Sequence, residues 1–542
     1  MFEAIIKAKT ASQLRALRKF GIGIKDHSAF QDKNDYLYRV DAIVSDEDIN
    51  RLESEGYIVE KVSNLTDIAK SRLKEVSRTN RFREANTMAD LGTFAVAGGY
   101  KTVEEIDEAI IQFNKINPNL VELIELPNKT WEKRTSTAIR IHTNTRTDKP
   151  AVMFIGGVHA REWGTSDICI HFISKLIESY TSNTQLKYGN KTFTANQIKT
   201  ILENIDIIVF PLVNPDGRAY SQKADNPDDP NTNEIESVWW RKNRNPNRVP
   251  NPQLLDPEIH KSAGVDLNRN YGFLWETGIG TEEDGKSISE VYKGPQPFSE
   301  PESKNVKYLI DKYKNIKCFV DIHCHVGSLL MSWGHDDLQC FYPEQNYRNP
   351  EFDGERGTVC GDLKPDIYKE YMHPDDVQKL AKYAKSMSDA LYAVRERRYI
   401  EEPAVGLYPT SGSSQDYAFS QRDPNDENKT RIFAYTIEFG ASARHRQHRD
   451  EDTFIPEYNV MKNIMNDIGS ALTGLCFALA NENIILISSN TNSTDEALTL
   501  AVQNDKIYRC LCGRVDFLTE KELDTHIIQM IDVNDFKRHG RG

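Results

Sequence analysis

Residues 151–167 read AVMFIGGVHAREWGTSD, and this stretch decides the fold class. Its first five residues are apolar, two glycines follow, and His159 and Glu162 come shortly after them. From residue 165 onward the chain has the apolar spacing of an amphipathic helix. A short, unbroken apolar run is typical of a strand buried on both faces of a parallel sheet. The stretch therefore predicts a strand, a turn that carries polar side chains, and a helix.

Three later apolar runs have the same character and are separated by helical stretches. This alternation is typical of an α/β domain. We therefore predict an α/β fold over residues 98–482, with a mixed, largely parallel central sheet flanked by helices. Thr102 and Glu105 predict a capping box at the start of one flanking helix. The three later strands are predicted in IDIIVFPLV (205–213), CFVDIHC (318–324) and IFAYTIEFG (432–440).

Residues 1–63 contain a strand–helix–strand pattern twice. The first copy is FEAIIKA, TASQLRALRKF and GIGIKDH, and the second is YLYRVDAIV, SDEDINRLESEG and YIVEKV. This order predicts a small ferredoxin-like α+β domain, although another small α+β module would fit the same pattern.

Residues 64–97 are predicted to be a linker. Arg78, Arg81 and Arg83 lie in its polar part, where they have few apolar neighbours. Such a segment is either a simple solvated connection or a candidate activation site, because exposed polar linkers are where proteases cut.

Composition and charge exclude several classes of protein. The chain has 542 residues and a net charge of −13, from 68 Lys and Arg against 81 Asp and Glu. An acidic chain argues against general nucleic-acid binding, which requires a basic surface. No stretch approaches the ~18 consecutive apolar residues of a membrane-spanning helix. The N-terminus also lacks the apolar block of a secretory signal. We therefore expect a monomer with no nucleic-acid or membrane partner. The expected location is cytoplasmic, or extracellular if a leader was removed.

Titratable side chains stand at the ends of the predicted strands. His159 and Glu162 follow the first strand, and His323 lies at the end of a later one. Two histidines and one carboxylate form a typical catalytic zinc site, in which the fourth position stays open to water. His325 points the same way as His323 on a strand, so it is either a rival ligand or a pocket residue. Glu438 lies in an apolar strand, where an acid is costly unless it is paired or functional.

Five motifs occur in a fixed order along the chain. They are HAREW (159–163), NPDG with WWRKNR (214–244), GVDLNRN (264–270), DIHCH (321–325) and TIEFG (436–440). Together with a tyrosine in the loop GLYPTSGSSQDYAF, they make residues 98–482 resemble zinc metallocarboxypeptidases of the carboxypeptidase A/B type. Residues 1–63 resemble the pro-domain of that family, which folds over the active-site funnel.

The resemblance implies an enzyme that hydrolyses the C-terminal peptide bond of peptides and proteins. His159, Glu162 and His323 would bind one Zn²⁺, which would activate a bound water molecule and polarise the scissile carbonyl. Glu438 would be the general base and then the general acid. Arg241 would stabilise the oxyanion.

The resemblance also implies how the substrate is held. A planar guanidinium can bind the free C-terminal carboxylate through two parallel hydrogen bonds. The implied contacts to that carboxylate are Asn268, Arg269 and Tyr408, and Arg161 would contact the substrate further back.

Two positions depart from the family pattern. His325 stands where the family usually has an aromatic pocket residue, and Gln415 occupies the position at the base of the side-chain pocket. Because glutamine is neutral, we expect neutral or apolar C-terminal residues to be preferred. Two alternative functions remain: a catalytically silent relative that binds peptides, and an amidohydrolase of small N-acyl amino acids.

Residues 483–542 begin with a polar linker and end in a tail that contains cysteine and histidine. Cys510, Cys512 and His526 resemble part of a zinc finger and would bind a second, structural zinc ion. The two cysteines are too close together for the usual spacing, so a disordered tail with a short helix is the alternative. In the large domain, Cys340 and Cys360 are candidates for a disulfide.

Overall fold

The computed structural model describes residues 1–490 except 21, 25–28, 33–34, 147, 224–236, 247–262, 282–289, 358–367, 422–430 and 442–449. The predicted second zinc site at Cys510, Cys512 and His526 lies outside the described residues, and so does the predicted partner of Cys340, Cys360. No helix in the described ranges combines the length and the apolar character needed to cross a bilayer.

The strands form one large sheet, one small sheet and two short two-stranded ribbons. They are β1 (Phe2–Ala8), β2 (Gly23–Ile24), β3 (Phe30–Gln31), β4 (Tyr38–Val44), β5 (Ile58–Asn64), β6 (Val121–Glu125), β7 (Thr137–Ile141), β8 (Ala151–Ile155), β9 (Leu186–Tyr188), β10 (Lys191–Phe193), β11 (Asp206–Phe210), β12 (Ile316–His325), β13 (Ser328–Met331), β14 (Leu338–Gln339), β15 (Glu370–Tyr371), β16 (Ile400–Pro403) and β17 (Phe433–Gly440).

The helices lie between these strands. They are α1 (Ala11–Arg15), α2 (Asp46–Ser54), α3 (Leu65–Lys74), α4 (Met88–Val96), α5 (Val103–Ile116), α6 (Trp163–Ser182), α7 (Ala195–Asn204), α8 (Pro215–Ser221), α9 (Pro301–Lys312), α10 (Pro374–Arg395), α11 (Ser414–Phe419) and α12 (Tyr458–Asn490). Short 3-10 turns cover residues 16–20, 81–84, 267–269, 275–277, 350–352 and 404–406.

The large sheet has eight strands in the order β16-β13-β17-β12-β8-β11-β7-β6. Its four central strands, β17, β12, β8 and β11, run parallel to one another, and β13, β7 and β6 add antiparallel pairs. All five residues of β8 and of β11 are buried, as expected for strands covered on both faces. Helices α6, α7, α10 and α12 pack around this core. The predicted α/β fold with a mixed, largely parallel sheet is confirmed.

The register of β12 positions the candidate site. Strand β12 lies between β8 and β17, with Asp321 opposite Ile155 and His323 opposite Glu438. Because the carboxyl ends of parallel strands meet at one edge of a sheet, the turn after β8 lies next to His323 and Glu438. Ligands of open α/β sheets bind at this edge.

The small sheet belongs to residues 1–64 and has its own core. Its order is β2-β4-β1-β5, all neighbours are antiparallel, and β3 pairs with β4. Strand β1 therefore lies between β4 and β5. These are the first, third and fourth strands of the repeated strand–helix–strand pattern, and this order is the ferredoxin-like arrangement. Ser45 and Asp48 form a capping box at the start of α2, and Leu52 on that helix is fully buried. The predicted small N-terminal α+β unit is present.

Residues 65–97 differ from the linker that was predicted over 64–97. Leu73, Phe82 and Leu91 are buried in the core of the large domain, not in that of the small unit. Arg81 Nε donates to Oε1 of the fully buried Glu105 at 2.7 Å. Ala69, Leu73 and Val76 have helical spacing, but the polar stretch that contains Arg78, Arg81 and Arg83 made the segment look like a solvated connection.

The contact with Arg81 also changes the predicted start of α5. Thr102 caps the helix by accepting a hydrogen bond from Glu105 N at 3.2 Å. The Glu105 carboxylate accepts two hydrogen bonds from the Arg81 side chain. The predicted capping box is therefore only half formed, since a buried carboxylate gains more from a guanidinium than from a helix-end N–H.

Candidate active site

A bend after β8 brings two polar side chains to the carboxyl edge of the sheet. Gly157 has φ +67°, and a Cβ atom there would lie 2.7 Å from Ser166 Oγ, so the bend requires glycine. The chain then passes through His159 and Glu162, and α6 begins at the next residue.

His159, Glu162 and His323 form a buried cluster. One ligand atom from each lies within 4.8 Å of the others, the arrangement expected around a metal ion. His159 Nδ1 lies 2.8 Å from Glu162 Oε1, and His323 Nδ1 lies 3.1 Å from Glu162 Oε2. The two Nδ1 atoms are 3.1 Å apart. Burial raises the pKa of Glu162, but the two imidazoles outweigh this effect and hold its pKa below the usual range.

A carboxylate lies behind each histidine. Asp266 Oδ1 is 3.1 Å from His159 Nε2, and Asp321 Oδ1 is 3.0 Å from His323 Nε2. A carboxylate in this position favours the tautomer with hydrogen on Nε2, so the lone pair of each Nδ1 faces the cluster. Two lone pairs 3.1 Å apart repel each other unless a cation lies between them. The donor set and its geometry therefore fit Zn²⁺, and the open fourth position fits a catalytic site.

Glu438 lies beside the cluster, directly across from His323 on the neighbouring strand. It is half-buried and lines the cavity described below. Burial, helped by the charges of Glu162 and Asp321, raises the pKa of Glu438 to about 8 against the opposing effects of His323 and Arg241. A bound dication would add a further attraction for the carboxylate form.

Arg241 is held in place by Asp266. Its Nη2 and Nε donate to Asp266 Oδ2 at 2.9 and 3.2 Å, and the guanidinium is buried. The same carboxylate faces His159 through its other oxygen. Asp266 therefore fixes a metal-ligand candidate and a cationic side chain in one geometry.

The residues predicted to bind a terminal carboxylate are also close together. Arg269 is buried, and its guanidinium lies 5.8 Å from the ring of Tyr408. Asn268 Oδ1 accepts a hydrogen bond from Ser414 N at 2.9 Å. Tyr408 itself is exposed and stands at the cavity wall.

A cavity of about 460 Å³ lies over the cluster. His159, Glu162 and Glu438 line its floor, and Arg241, Asn268 and Tyr408 line its sides. This arrangement collects most of the predicted site residues in one place.

The outer part of the cavity contains Arg161 and His325. The Arg161 guanidinium lies 4.1 Å from the ring centroid of Phe454 and donates to Glu290 Oε2 at 3.0 Å. His325 Nδ1 lies 2.9 Å from Asp452 Oδ1. Because this pairing turns the imidazole away from the cluster, His325 is a pocket residue in the structure and not a rival ligand.

Gln415 is buried beneath this region and does not line the cavity. Its Nε2 donates to Ser332 Oγ at 3.4 Å. Leu330, Thr410 and Thr436 are buried as well, whereas Leu407 lines the cavity.

The small N-terminal unit covers the mouth of the cavity. Met1, Glu3 and Ile43 from this unit, together with Leu65, line the same space as the zinc-ligand candidates. Leu65 N donates to Met1 O at 3.1 Å, which ties the N-terminus to the start of α3.

Sequence reasoning missed two functional features of the site. It quoted GVDLNRN without singling out Asp266, whose complete burial and contacts with His159 and Arg241 are visible only in the structure. It also missed Asp452 and Phe454, which follow the described part of β17 and offer no motif of their own.

Comparison with known proteins gives the same assignment. The sequence profile described as zinc carboxypeptidase matches residues 106–467, which is more than half of the chain. Carboxypeptidase A4 of Mus musculus is 27% identical over 323 residues, which cover 59% of this chain and 60% of the mouse protein. Carboxypeptidase B of Astacus astacus is 26% identical over 359 residues, which cover 66% of this chain and 91% of that protein.

A solved structure matches nearly the whole described chain. The crystal structure of thrombin-activatable fibrinolysis inhibitor superposes with a TM-score of 0.59 at 18% identity, and it covers 89% of this chain and 99% of that one. At this identity the match shows the fold alone. The profile match, the curated relatives and the site geometry agree, and the chain belongs to the zinc carboxypeptidase family.

Proposed function

We propose that the protein is a zinc-dependent carboxypeptidase that hydrolyses the C-terminal peptide bond of peptides or proteins. The observation that supports this most directly is the cluster of His159, Glu162 and His323, of which His159 and Glu162 line a cavity. Glu438 lies across from one ligand, and Arg241 is held through Asp266 behind another.

The groups around the cluster have the chemistry that the reaction needs. Bound there, Zn²⁺ would act as a Lewis acid on the scissile carbonyl and on water. The Glu438 carboxylate takes a proton from the attacking water and then gives it to the leaving amine. Without a metal ion, the pKa of Glu438 is raised to about 8, and the charge of a bound dication would lower it so that the carboxylate is available for the first proton transfer. Arg241 donates to the oxyanion, which is worth ~10²–10³ in rate for one such donor.

The free carboxylate of the substrate explains why only chain ends are cut. Asn268 and Tyr408 line the space beside the cluster, and the Arg269 guanidinium lies 5.8 Å from the Tyr408 ring. These three side chains bind that carboxylate once Arg269 turns from the Gly280 and Asn268 carbonyls to which it donates. An internal peptide bond has no anion to place there. Because Gln415 is neutral, neutral or apolar C-terminal residues remain the expected preference, although Gln415 does not line the cavity in this structure.

Residues 1–63 act as a cover that limits access to the site. Met1, Glu3 and Ile43 occupy the side of the cavity through which a peptide chain would approach. Activity therefore rises when this unit is displaced.

The test uses the zinc-loaded full chain, intact and after limited proteolysis, on a panel of peptides that end in different residues. Stepwise release of C-terminal residues, measured by mass spectrometry and abolished by a chelator, is the expected result. Peptides with an amidated C-terminus should resist cleavage. Glu438→Gln should keep zinc and lose turnover by about 10²–10⁴-fold.

Two results would overturn the proposal. Peptide binding without cleavage in both preparations would identify a silent peptide-binding relative. Cleavage of small N-acyl amino acids with no release from peptides would identify an amidohydrolase.

A further inference from the structure

We propose that Asp321 is a positioning residue for His323, and that Ser414 connects it to the residues that bind the substrate carboxylate. The inference rests on the proposed zinc site and adds to it a second set of contacts. It assigns to Asp321 and Ser414 a role in the affinity of the site for metal.

The surroundings of Asp321 favour this role over a passive one. The residue is fully buried on β12, two positions before His323. Its Oδ1 lies 3.0 Å from His323 Nε2, a charge contact without hydrogen-bond geometry, and its Oδ2 accepts a hydrogen bond from Ser414 Oγ at 2.5 Å. Burying a carboxylate is costly, so both contacts carry part of its stabilisation.

The contact acts on the ring nitrogen that does not face the cluster. His323 Nδ1 points towards His159 Nδ1 and Glu162 Oε2. A carboxylate charge beside Nε2 favours the tautomer with hydrogen there and increases the basicity of Nδ1, the atom that would bind the metal. Asp266 stands in the same relation to His159. Each histidine therefore has its own buried carboxylate.

The two carboxylates are joined through Asn268. Asn268 N donates to Asp266 Oδ1 at 3.0 Å, and Asn268 Oδ1 accepts from Ser414 N at 2.9 Å. Ser414 Oγ then reaches Asp321. The resulting chain of contacts runs from one histidine to the other and passes through a residue that is proposed to bind the substrate carboxylate.

The alternative is that Asp321 and Ser414 only anchor α11 to β12. That role predicts a lower stability of the metal-free protein and an unchanged affinity for metal. A positioning role predicts a weaker affinity for metal and little change in the stability of the metal-free protein. The reason is that the Asp321→Asn substitution keeps the size and the hydrogen-bond acceptor but removes the charge.

The experiment measures the zinc dissociation constant of the full chain by competition with a chelator. We expect Asp321→Asn to bind zinc about 10–100-fold more weakly than wild type. Ser414→Ala should weaken binding by a smaller factor, roughly 3–10-fold, because the carboxylate stays but loses one hydrogen bond. Asp389→Asn is the control, since Asp389 is an exposed aspartate paired with Lys385 outside the cavity.

Two further measurements complete the test. Thermal unfolding of metal-free Asp321→Asn should differ little from wild type, whereas Ser414→Ala is judged by its zinc affinity because it also removes a hydrogen bond from a buried carboxylate. The double variant should lose less affinity than the product of the two single effects, because both act through His323.

The outcomes separate this inference from the proposed function. A wild-type chain that binds no zinc overturns both. Zinc binding within twofold of wild type in Asp321→Asn, with a lower unfolding temperature, overturns the positioning role alone. If Asp321→Asn does not fold, the zinc affinity of Ser414→Ala is the deciding measurement. An unchanged affinity in that variant contradicts the proposed link from Ser414 through Asp321 to His323.

Discussion

Residues 1–64 and residues 65–97 follow one another in the chain but belong to different cores. The first segment buries Ile6, Val40 and Leu52 within its own sheet and helices. The second buries its apolar side chains, Phe82 among them, in the core of the large domain. The difference shows that the structural boundary of the large domain lies near residue 64, well before the start at residue 98 that the sequence suggests. The small N-terminal unit can therefore be removed without loss of buried residues from the large domain only by a cut near residue 64.

Truncation should give the largest effect. Deletion of residues 1–63 leaves Asn64, whose side chain caps α3, and leaves the large core intact. That variant should fold, bind zinc and cleave peptides faster than the full chain. Deletion of residues 1–97 removes Leu73, Phe82 and Leu91 from the core. Each loss costs about 2–5 kcal/mol, and the sum approaches the typical total stability of a domain.

Circular dichroism and zinc binding on both truncated forms check this comparison. A chain lacking residues 1–97 that folds as well as one lacking residues 1–63 would contradict the assignment of α3 and α4 to the large domain. Unchanged turnover after deletion of residues 1–63 would contradict the role of the small unit as a cover.

Single substitutions in the two cores should separate the units without truncation. Phe82→Ala should destabilise the large domain by about 3–5 kcal/mol, because the ring is fully buried. Leu52→Ala, also at a fully buried position, should cost about 2–5 kcal/mol in the small unit only. Denaturant unfolding followed by zinc release reports on the large domain. A loss of zinc at lower denaturant in Leu52→Ala, equal to that in Phe82→Ala, would show that the units unfold as one.

How far the sequence predicts the fold depends on the spacing of apolar residues. The strands β8, β11, β12 and β17 are short, mostly apolar runs and could be recognised directly. The segment 65–97 could not, because its buried residues are scattered among arginines and other polar side chains. Arg81 looks solvated in the sequence, yet it pairs with a buried carboxylate 24 residues away.

The residues of the candidate site also divide into those that the sequence reveals and those that only the structure reveals. His159, Glu162, His323 and Glu438 stand out because polar residues at strand ends are unusual and resemble a known family pattern. Asp266 and Asp321 do not stand out, because their role depends on which ring nitrogen each one faces. That relation arises from the strand register and from a loop contact, and neither is visible in the order of residues.

The seam between α3 and the large domain offers a smaller test of the same boundary. Arg72 Nε donates to the Ile455 carbonyl at 2.9 Å, and both residues are buried. Arg72→Met should lower the stability of the large domain by about 1–3 kcal/mol, because a buried acceptor loses its partner. Arg51→Met on α2 is the control, since its ion pair with Asp48 is exposed and worth about 1 kcal/mol or less. If Arg72→Met and Arg51→Met lowered the free energy of unfolding equally, as followed by zinc release, the assignment of α3 to the large domain would be contradicted.

The smallest expected effect concerns the pH dependence of stability. The small unit should lose stability as pH falls, and the large domain should lose stability as pH rises. A hydrogen bond from Ser45 N, together with the Ser45 hydroxyl and Arg51, holds the pKa of Asp48 below its usual range against a small effect of burial. Its contribution, about 1 kcal/mol or less from the capping box, is present above the unfolded pKa and is lost as pH falls through the folded one.

Burial, helped by the charge of Glu300, raises the pKa of Glu302 in the large domain to about 8. A raised carboxyl pKa means that the folded state binds the proton more tightly than the unfolded state. The stability that this proton contributes is therefore complete below the unfolded pKa and is lost as pH rises through about 8. Glu302→Gln should flatten this loss between the unfolded pKa and about 8 in zinc-free unfolding curves, and Asp48→Asn should flatten the acid loss in the small unit. If Glu302→Gln leaves the slope in this pH range unchanged, the pH dependence of the large domain arises from another buried group, of which Asp467, with its pKa raised by burial to about 6, is the next to test.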